Sequence, residues 1–253
     1  MTKPTETPTT ATPTTATPTA PTTSPTPPHA ATTPDDRPDT RDMVVVHTGF
    51  RRELRLMPGL VHAVADGDLE RTEVVGAHLE LWLRLLHGHH TREDDYLWPL
   101  LHERAPADLE PVVDLMEAQH AVVEELVDRI SPLAASWRGT GAAQDRDTLA
   151  RLLQRLHDAL VEHMDDEEAH LLPIAERVLT GPEWRELGKG GAEEIPRDVR
   201  LAVFGMFLAD ADPDAAAMMV SHLPLPARVL IRLGLPRRAY RRYARRVHLT
   251  DVA

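Results

Sequence analysis

The chain has no cysteine, few aromatic residues and no long apolar run. Without cysteine there is no disulfide framework, no thiolate-held iron–sulfur cluster and no cysteine nucleophile, so any metal must be held by His, Asp and Glu. No stretch approaches the ~18 consecutive apolar residues of a membrane-spanning helix. The N-terminus also lacks the apolar core of a signal peptide. A cytoplasmic location and no transmembrane segment are therefore expected.

The first part of the chain has an unusually narrow composition. Residues 1–34 consist almost wholly of Thr, Pro and Ala. Such a segment cannot bury enough apolar surface to offset the entropy lost on ordering, and its prolines favour extended conformations. Residues 1–38 are therefore predicted to be a disordered tail, which serves either as a spacer or as a dispensable extension.

From Thr40 onward, apolar residues recur at alternating steps of three and four, the period of an amphipathic α-helix. Four such stripes follow one another, and each has histidine where an apolar residue is expected. The first two are Met43, His47, Phe50, Leu54, Met57, Val61, Val64 and Val75, Leu79, Trp82, Leu86, His89, Glu93, Leu97, Leu100. The others are Leu109, Val113, Met116, His120, Val123, Val127, Ile130 and Leu149, Leu152, Leu156, Leu160, His163, Glu167, His170, Ile174.

The second and fourth stripes share the pattern His-x3-Glu-x5-Pro. One copy is His89, Glu93 and Pro99, and the other is His163, Glu167 and Pro173. Side chains at i and i+4 lie on one helix face, so each copy aims an imidazole and a carboxylate at one point. These ligands reach divalent first-row metals at roughly 2.0 to 2.2 Å. Glu93 and Glu167 have no core-facing Lys or Arg, which favours a metal as their counter-charge.

A lone histidine precedes each copy at nearly the same distance. The spacing from His47 to His89 is one residue shorter than the spacing from His120 to His163. An internal duplication is therefore predicted. Each unit has the length of an antiparallel helix pair, and two such pairs make a four-helix bundle.

With these residues, the stretch from about residue 41 to residue 179 resembles the hemerythrin-like (HHE cation-binding) family. The resemblance implies an all-α, antiparallel up-down four-helix bundle around two non-heme iron ions (Fe²⁺/Fe³⁺) with an oxo or hydroxo bridge. The metal ligands that it implies are His47, His89, Glu93, His120, His163 and Glu167, and the two glutamates would bridge the ions.

One position departs from the oxygen-carrying members of that family. They have a second His four residues after the third-helix His, and here that position is Glu124. Glu124 is predicted either to ligate the metal or to accept a hydrogen bond from a ligating imidazole. The other six ligands resemble those of the hemerythrin-like proteins found among bacterial stress proteins and in the iron-sensing F-box domain. This resemblance argues against reversible oxygen carriage.

Further polar residues flank the two copies. Tyr96 and His170 follow the bridging glutamates by three residues and are predicted as catalytic groups that hydrogen-bond a ligand or bound peroxide. His87 and His90 are either a solvated flank or alternate ligands and proton shuttles. The histidines without a partner pattern, which are expected at the surface, are His62, His78, His102, His157, His222 and His248.

Residues 39–180 are thus predicted to form the bundle and residues 181–253 a helical extension. Short helices are expected at 199–208, 214–223 and 227–233, followed by an Arg-rich helix at 236–248. In a chain with a net charge of -12, this last helix either clamps onto the acidic bundle or binds an anionic partner such as lipid, nucleic acid or protein. A single basic helix is too narrow to recognise a DNA sequence, so no binding to a specific nucleic acid is expected.

The sequence therefore predicts a non-heme di-iron protein that binds iron and reacts with or senses O2, peroxide or NO. Two classes of function remain open. The protein is either a catalase-like or peroxidase-like enzyme, or a binding or storage module for iron and oxygen status without turnover. Both classes need the same ligands.

Overall fold

The computed structural model describes residues 37–189, 191 and 195–249, which are all-helical, as predicted, with no strand in those ranges. The predicted disordered tail, residues 1–38, lies outside the described residues except for residues 37 and 38. Within the described ranges, none of the helices combines the length and the apolar character needed to cross a bilayer.

Four long helices make up most of the predicted bundle region. They are α1 (Arg41–His62), α2 (Leu69–Arg92), α4 (Glu110–Thr140) and α5 (Ala143–Asp166), with the short α3 (Trp98–Arg104) and α6 (Leu172–Val178) following α2 and α5. Helix α1 packs on α5 and α2, and α4 packs on the same two helices. In the turn between α1 and α2, Asp68 caps α2 by accepting the Arg71 amide at 2.9 Å.

Both copies of the His-x3-Glu-x5-Pro pattern contain a π-helical turn, at Glu93–Leu97 and at Glu167–Leu171. The amide after each turn donates to the carbonyl of the glutamate five residues back. Each turn leads directly into a short helix with proline near its first position, Pro99 or Pro173. Proline has no amide proton and clashes with the preceding turn of a regular α-helix. The wider turn accommodates the proline, so the chain stays helical through Pro99 and Pro173.

The apolar core is divided into two clusters. The larger cluster runs along the four long helices and contains Trp82, Trp137 and Leu156, all fully buried. The smaller cluster collects residues from the start of α1 and α4 and from the segments after Glu93 and Glu167: Met43, Leu97, Trp98, Leu101, Val113, Met116, Leu171, Leu172, Ile174, Ala175, Leu179, Trp184 and Leu187. The buried histidines and glutamates of the stripes lie at the junction of the two clusters.

The C-terminal extension consists of short helices, as expected. They are α7 (Gly181–Leu187), α8 (Arg200–Phe207), α9 (Pro213–Ser221), α10 (Leu225–Arg232) and α11 (Leu235–His248). Helix α8 packs on α11 and α1, and α9 packs on α1. The contact between α8 and α11 is so close that a Cβ atom on Gly205 would lie 2.3 Å from the carbonyl oxygen of Pro236.

The Arg-rich helix α11 has two distinct faces. Pro236, Tyr240, Ala244 and Val247 are buried, whereas its six arginines are exposed. The Arg71 side chain from α2 donates to the carbonyls of Arg246 and Val247 and so caps the C-terminus of α11. The expectation that His78 and His248 lie at the surface is wrong, because α11 covers that part of α2 and both imidazoles are buried.

Candidate metal centre

Six of the seven predicted metal ligands come together in the interior. One lone histidine comes from each of α1 and α4, and one His-x3-Glu pair comes from each of α2 and α5 with its π turn. They are His47, His89, Glu93, His120, His163 and Glu167, and all are buried. Together with His90, they form two overlapping groups, and the ligand atoms of each group all lie within 4.8 Å of one another.

The first group is His47, His89, Glu93 and Glu167. The Nε2 atom of His47 lies 3.2 Å from Nε2 of His89 and 3.2 Å from Oε2 of Glu167. The Nε2 atom of His89 lies 3.3 Å from Oε1 of Glu93. Separations of this size are those of neighbouring ligands around one ion when each metal–ligand bond is about 2 Å.

The second group is His90, Glu93, His120 and His163. The Nε2 atom of His120 lies 3.1 Å from Nε2 of His163 and 3.4 Å from Oε2 of Glu93. Glu93 thus faces the first group through Oε1 and the second group through Oε2. Glu167 belongs to the first group, and its Oε2 atom lies near a histidine of each group, 3.2 Å from Nε2 of His47 and 3.8 Å from Nε2 of His163.

The charges of these groups call for a cation. Burial holds the pKa of His89 and of His90 well below its usual range and lowers the pKa of His163 to about 2. Burial also raises the pKa of Glu93 well above its usual range, and burial together with the Glu93 carboxylate raises the pKa of Glu167 to about 8. These three imidazoles are therefore neutral, and the two carboxylates are costly as anions unless a positive charge lies between them.

Hydrogen bonding leads to the same conclusion. Both carboxylate oxygens of Glu93 and of Glu167 are buried and have no hydrogen-bond partner among the described residues. The short contacts of these oxygens with the imidazoles are therefore not oriented as hydrogen bonds. Buried acceptors of this kind cost free energy until a donor or a metal satisfies them. The donor set of imidazole and carboxylate fits the iron ions that the resemblance implies.

A second carboxylate holds the outer nitrogen of each lone histidine. Glu168 Oε1 lies 2.9 Å from Nδ1 of His47, and Asp94 Oδ1 lies 3.0 Å from Nδ1 of His120. Glu168 directly follows Glu167, and Asp94 directly follows Glu93. Each π turn therefore supplies a candidate ligand and also the carboxylate that orients a histidine on another helix. This arrangement turns Nε2 of both imidazoles toward the interior.

Glu124 does not enter either group, and its side chain is exposed. It lines a small cleft of about 40 Å³ together with His90, Asp94 and His120. The ring of His90 stacks on the ring of His120 with centroids 4.1 Å apart. The group of possible ligand atoms around His120 thus includes His90 and not Glu124.

Tyr96 and His170 also lie away from the centre. Tyr96 is 50% exposed and the side chain of His170 is 58% exposed. Both belong to the π turns, in which the wider turn rotates a residue at +3 farther from the face of its glutamate than an α turn does. The structure therefore does not place these two predicted catalytic groups against the candidate ligands.

The sequence pattern did contain a signal for His90. It precedes Glu93 by three residues, and i, i+3 as well as i, i+4 side chains share a helix face. His89 and His90 therefore both reach Glu93, one on each side. The neighbouring His87 is exposed, which agrees with the alternative of a solvated flank for that residue.

An apolar cavity leads to the first group. It has a volume of about 240 Å³ and reaches His89 and Glu93. Helix α1 and the C-terminal extension supply most of its walls, including Phe50, Leu187 and Phe207. Small uncharged molecules can therefore reach the centre on this side, whereas the cleft beside His120 offers a polar approach on the other.

Comparison with known families agrees with the geometry. Residues 39–175 match the family described as the hemerythrin HHE cation binding domain. The match covers a little over half of the chain, and the chain belongs to this family. No curated protein and no solved structure matched it.

Proposed function

We propose that α1, α2, α4 and α5 form an antiparallel, hemerythrin-like four-helix bundle that holds two non-heme iron ions and reacts with or senses O2, peroxide or NO. In this proposal the bundle domain covers residues 39–180 and the C-terminal extension covers residues 181–253. The observation that carries the proposal is the position of Glu93 and Glu167, which each face imidazoles of both groups. A carboxylate in this position is suited to bridge two ions.

The residues of the chain have distinct tasks in this proposal. His47, His89 and the carboxylates would hold one ion, and His90, His120 and His163 with the same carboxylates would hold the other. An iron pair supplies Lewis acidity and electron transfer when bound. Glu168 and Asp94 orient imidazoles, and the mainly apolar cavity of about 240 Å³ gives small molecules access to the first group.

Ligand binding and sensing are favoured over turnover. A peroxide-consuming cycle needs a proton donor and acceptor next to the reacting atoms. The two groups predicted for that task, Tyr96 and His170, are exposed. This favours the alternative of a module that stores iron or reports iron and oxygen status, or that binds a small ligand without many turnovers.

Metal analysis of the purified full-length protein tests the proposal. Iron-loaded wild type should contain about two iron equivalents and show an aerobic absorption spectrum that changes on reduction. Glu167→Ala should lose about one to two equivalents, because its carboxylate serves both ions. Glu162→Ala, which alters an exposed glutamate on the same helix, is the matched control and should keep both iron equivalents. Wild type with less than one equivalent after loading would refute the di-iron centre.

Peroxide distinguishes the two classes of function. A sensing or storage module should react with hydrogen peroxide stoichiometrically or not at all. Sustained oxygen evolution by the iron-loaded protein, absent from the metal-free protein, would instead identify an enzyme. His170→Ala should leave either behaviour unchanged, since the imidazole faces solvent.

A further inference from the structure

A second cluster of metal-ligand side chains lies between the extension and the predicted bundle. Glu53 on α1, His78 on α2 and His248 at the end of α11 each offer one ligand atom, and the three atoms lie within 4.8 Å of one another. The Oε2 atom of Glu53 is 3.2 Å from Nε2 of His78 and 3.4 Å from Nε2 of His248. The cluster shares no residue with the candidate metal centre.

All three side chains are withdrawn from solvent. Those of Glu53 and His78 are fully buried, and that of His248 is 6% exposed. The outer polar atoms of Glu53 and His78 have partners. Arg52 donates to Oε1 of Glu53 at 2.8 Å, and the hydroxyl of Tyr243 lies 3.1 Å from Nδ1 of His78. These contacts fix both side chains in orientation and leave Oε2 and Nε2 directed at the common point.

The inward-facing atoms themselves are unsatisfied. Glu53 Oε2, His78 Nε2 and His248 Nε2 are buried and make no hydrogen bond within the described part of the chain. Their separations are short enough for hydrogen bonds, but their directions are not those of hydrogen bonds. Three buried polar atoms that converge without a hydrogen bond are costly unless a ligand such as a cation satisfies them.

A cation already lies beside the cluster. Arg52 donates to Oε1 of Glu53 at 2.8 Å and leaves Oε2 facing the two imidazoles. The charge of Arg52 is shared with Asp210, whose carboxylate accepts from it at 2.8 Å.

We propose that Glu53, His78 and His248 form a mononuclear site for a divalent first-row transition metal, such as Zn²⁺, that fastens α11 to α1 and α2. Two imidazoles and one carboxylate are a common protein ligand set for zinc and ferrous ions. Arg52 and Tyr243 are the outer partners that such ligands usually have. Because His248 is the last residue of α11, metal binding closes the chain between Glu53 and His248 and stabilises the extension.

Zinc titration of the full-length, chelator-treated protein tests this proposal. Wild type should bind about one equivalent more Zn²⁺ than His248→Ala, whatever the occupancy of the candidate metal centre. The difference should persist when both proteins carry Glu93→Ala and Glu167→Ala, so failure of this site and failure of the di-iron proposal are distinguishable. Equal zinc binding by wild type and His248→Ala would overturn it.

Two control variants account for other histidines. His222→Ala removes an exposed imidazole from the same extension and should bind zinc like wild type. His102→Ala removes the histidine of an exposed group formed with Asp114 and Glu117, which is a candidate for weak surface binding. If His102→Ala rather than His248→Ala loses the additional equivalent, the proposed site is refuted.

Thermal unfolding separates a metal site from a plain ion-pair contact. The Tm of wild type should rise when Zn²⁺ replaces chelator, and this rise should be absent in His248→Ala. Circular dichroism of both proteins in chelator checks that the variant is folded. If His248→Ala lowers Tm equally with zinc and with chelator, the cluster acts only as an ion pair between Glu53 and protonated histidine.

Discussion

Glu168 accepts a hydrogen bond from Nδ1 of His47 at 2.9 Å, and Arg51 holds the same carboxylate oxygen at 2.6 Å. The other copy of the His-x3-Glu pattern shows the same relationship, since Asp94 accepts from Nδ1 of His120 at 3.0 Å and from the Trp98 indole at 2.7 Å. A proton fixed on the outer nitrogen leaves the inner nitrogen free to bind a metal.

Removing the orienting carboxylate should weaken metal binding without removing a ligand. Glu168→Ala is expected to lower metal affinity by about 10- to 100-fold, because the His47 ring loses its fixed tautomer and orientation. Competition with a chromogenic chelator measures the effect. Asp165→Ala is the matched control, since Asp165 also binds Arg51, at 2.7 Å, but does not contact His47. Equal affinities for Glu168→Ala and wild type would contradict an orienting role.

His90 and His87 make a second matched pair. His90→Ala should lower bound iron by about one equivalent, because it removes one imidazole from the group formed with Glu93, His120 and His163. His87→Ala changes an exposed residue three positions earlier and should leave the iron content unchanged. Metal analysis after loading and desalting compares the two. Full loading of His90→Ala would restrict the ligands to the six predicted from the repeat.

Helical periodicity was enough to predict much of this molecule. The stripes correctly predicted that His47, His120 and both His-x3-Glu pairs are buried, because a single helix face shows which side chains share an environment. The period also predicted the short helices of the extension to within a few residues.

The π turns were not predictable in the same way. They change the register by one residue at Glu93 and Glu167, so an α-helical projection places Tyr96 and His170 too close to the centre. The cluster of Glu53, His78 and His248 was missed for another reason. It joins three helices far apart in sequence, and no local spacing reports such a contact.

Gly205→Ala should loosen the extension. The added Cβ would meet the Pro236 carbonyl at 2.3 Å, so α8 and α11 must separate. Overpacking of this kind typically costs about 1 to 3 kcal/mol, which urea denaturation measures. Gly139→Ala is the control: nothing lies within 4 Å of its added Cβ, and alanine should stabilise that helical position by about 0.5 to 1 kcal/mol. Equal midpoints for Gly205→Ala and wild type would show that α8 and α11 adjust without cost.

Glu183 should make the stability depend on pH. Burial acts to raise its pKa, but the Thr180 amide and hydroxyl and the Arg104 guanidinium outweigh burial and hold the pKa below its usual range. A carboxyl whose pKa is lower in the folded state stabilises the fold above its unfolded pKa of about 4.3, and this contribution is lost as the pH falls.

The variant Glu183→Gln removes this titration. The difference in free energy of unfolding between wild type and Glu183→Gln should be largest near neutral pH and disappear at acidic pH. Denaturant titrations across that range measure it. A difference that stays constant with pH would assign the effect to packing rather than to the capping box that Glu183 forms with Thr180.

Because the apolar core is divided, the two ends of the four long helices need not unfold together. The clusters that contain Trp82 and Trp98 are separated by a layer of buried imidazoles and carboxylates, which contributes little hydrophobic cohesion of its own. Without a cation, we expect the smaller cluster to open as a separate cooperative unit at lower free energy than the larger one. A bound cation would link ligands from all four long helices across this layer, so we expect metal occupancy to decide whether the protein unfolds in one transition or in two.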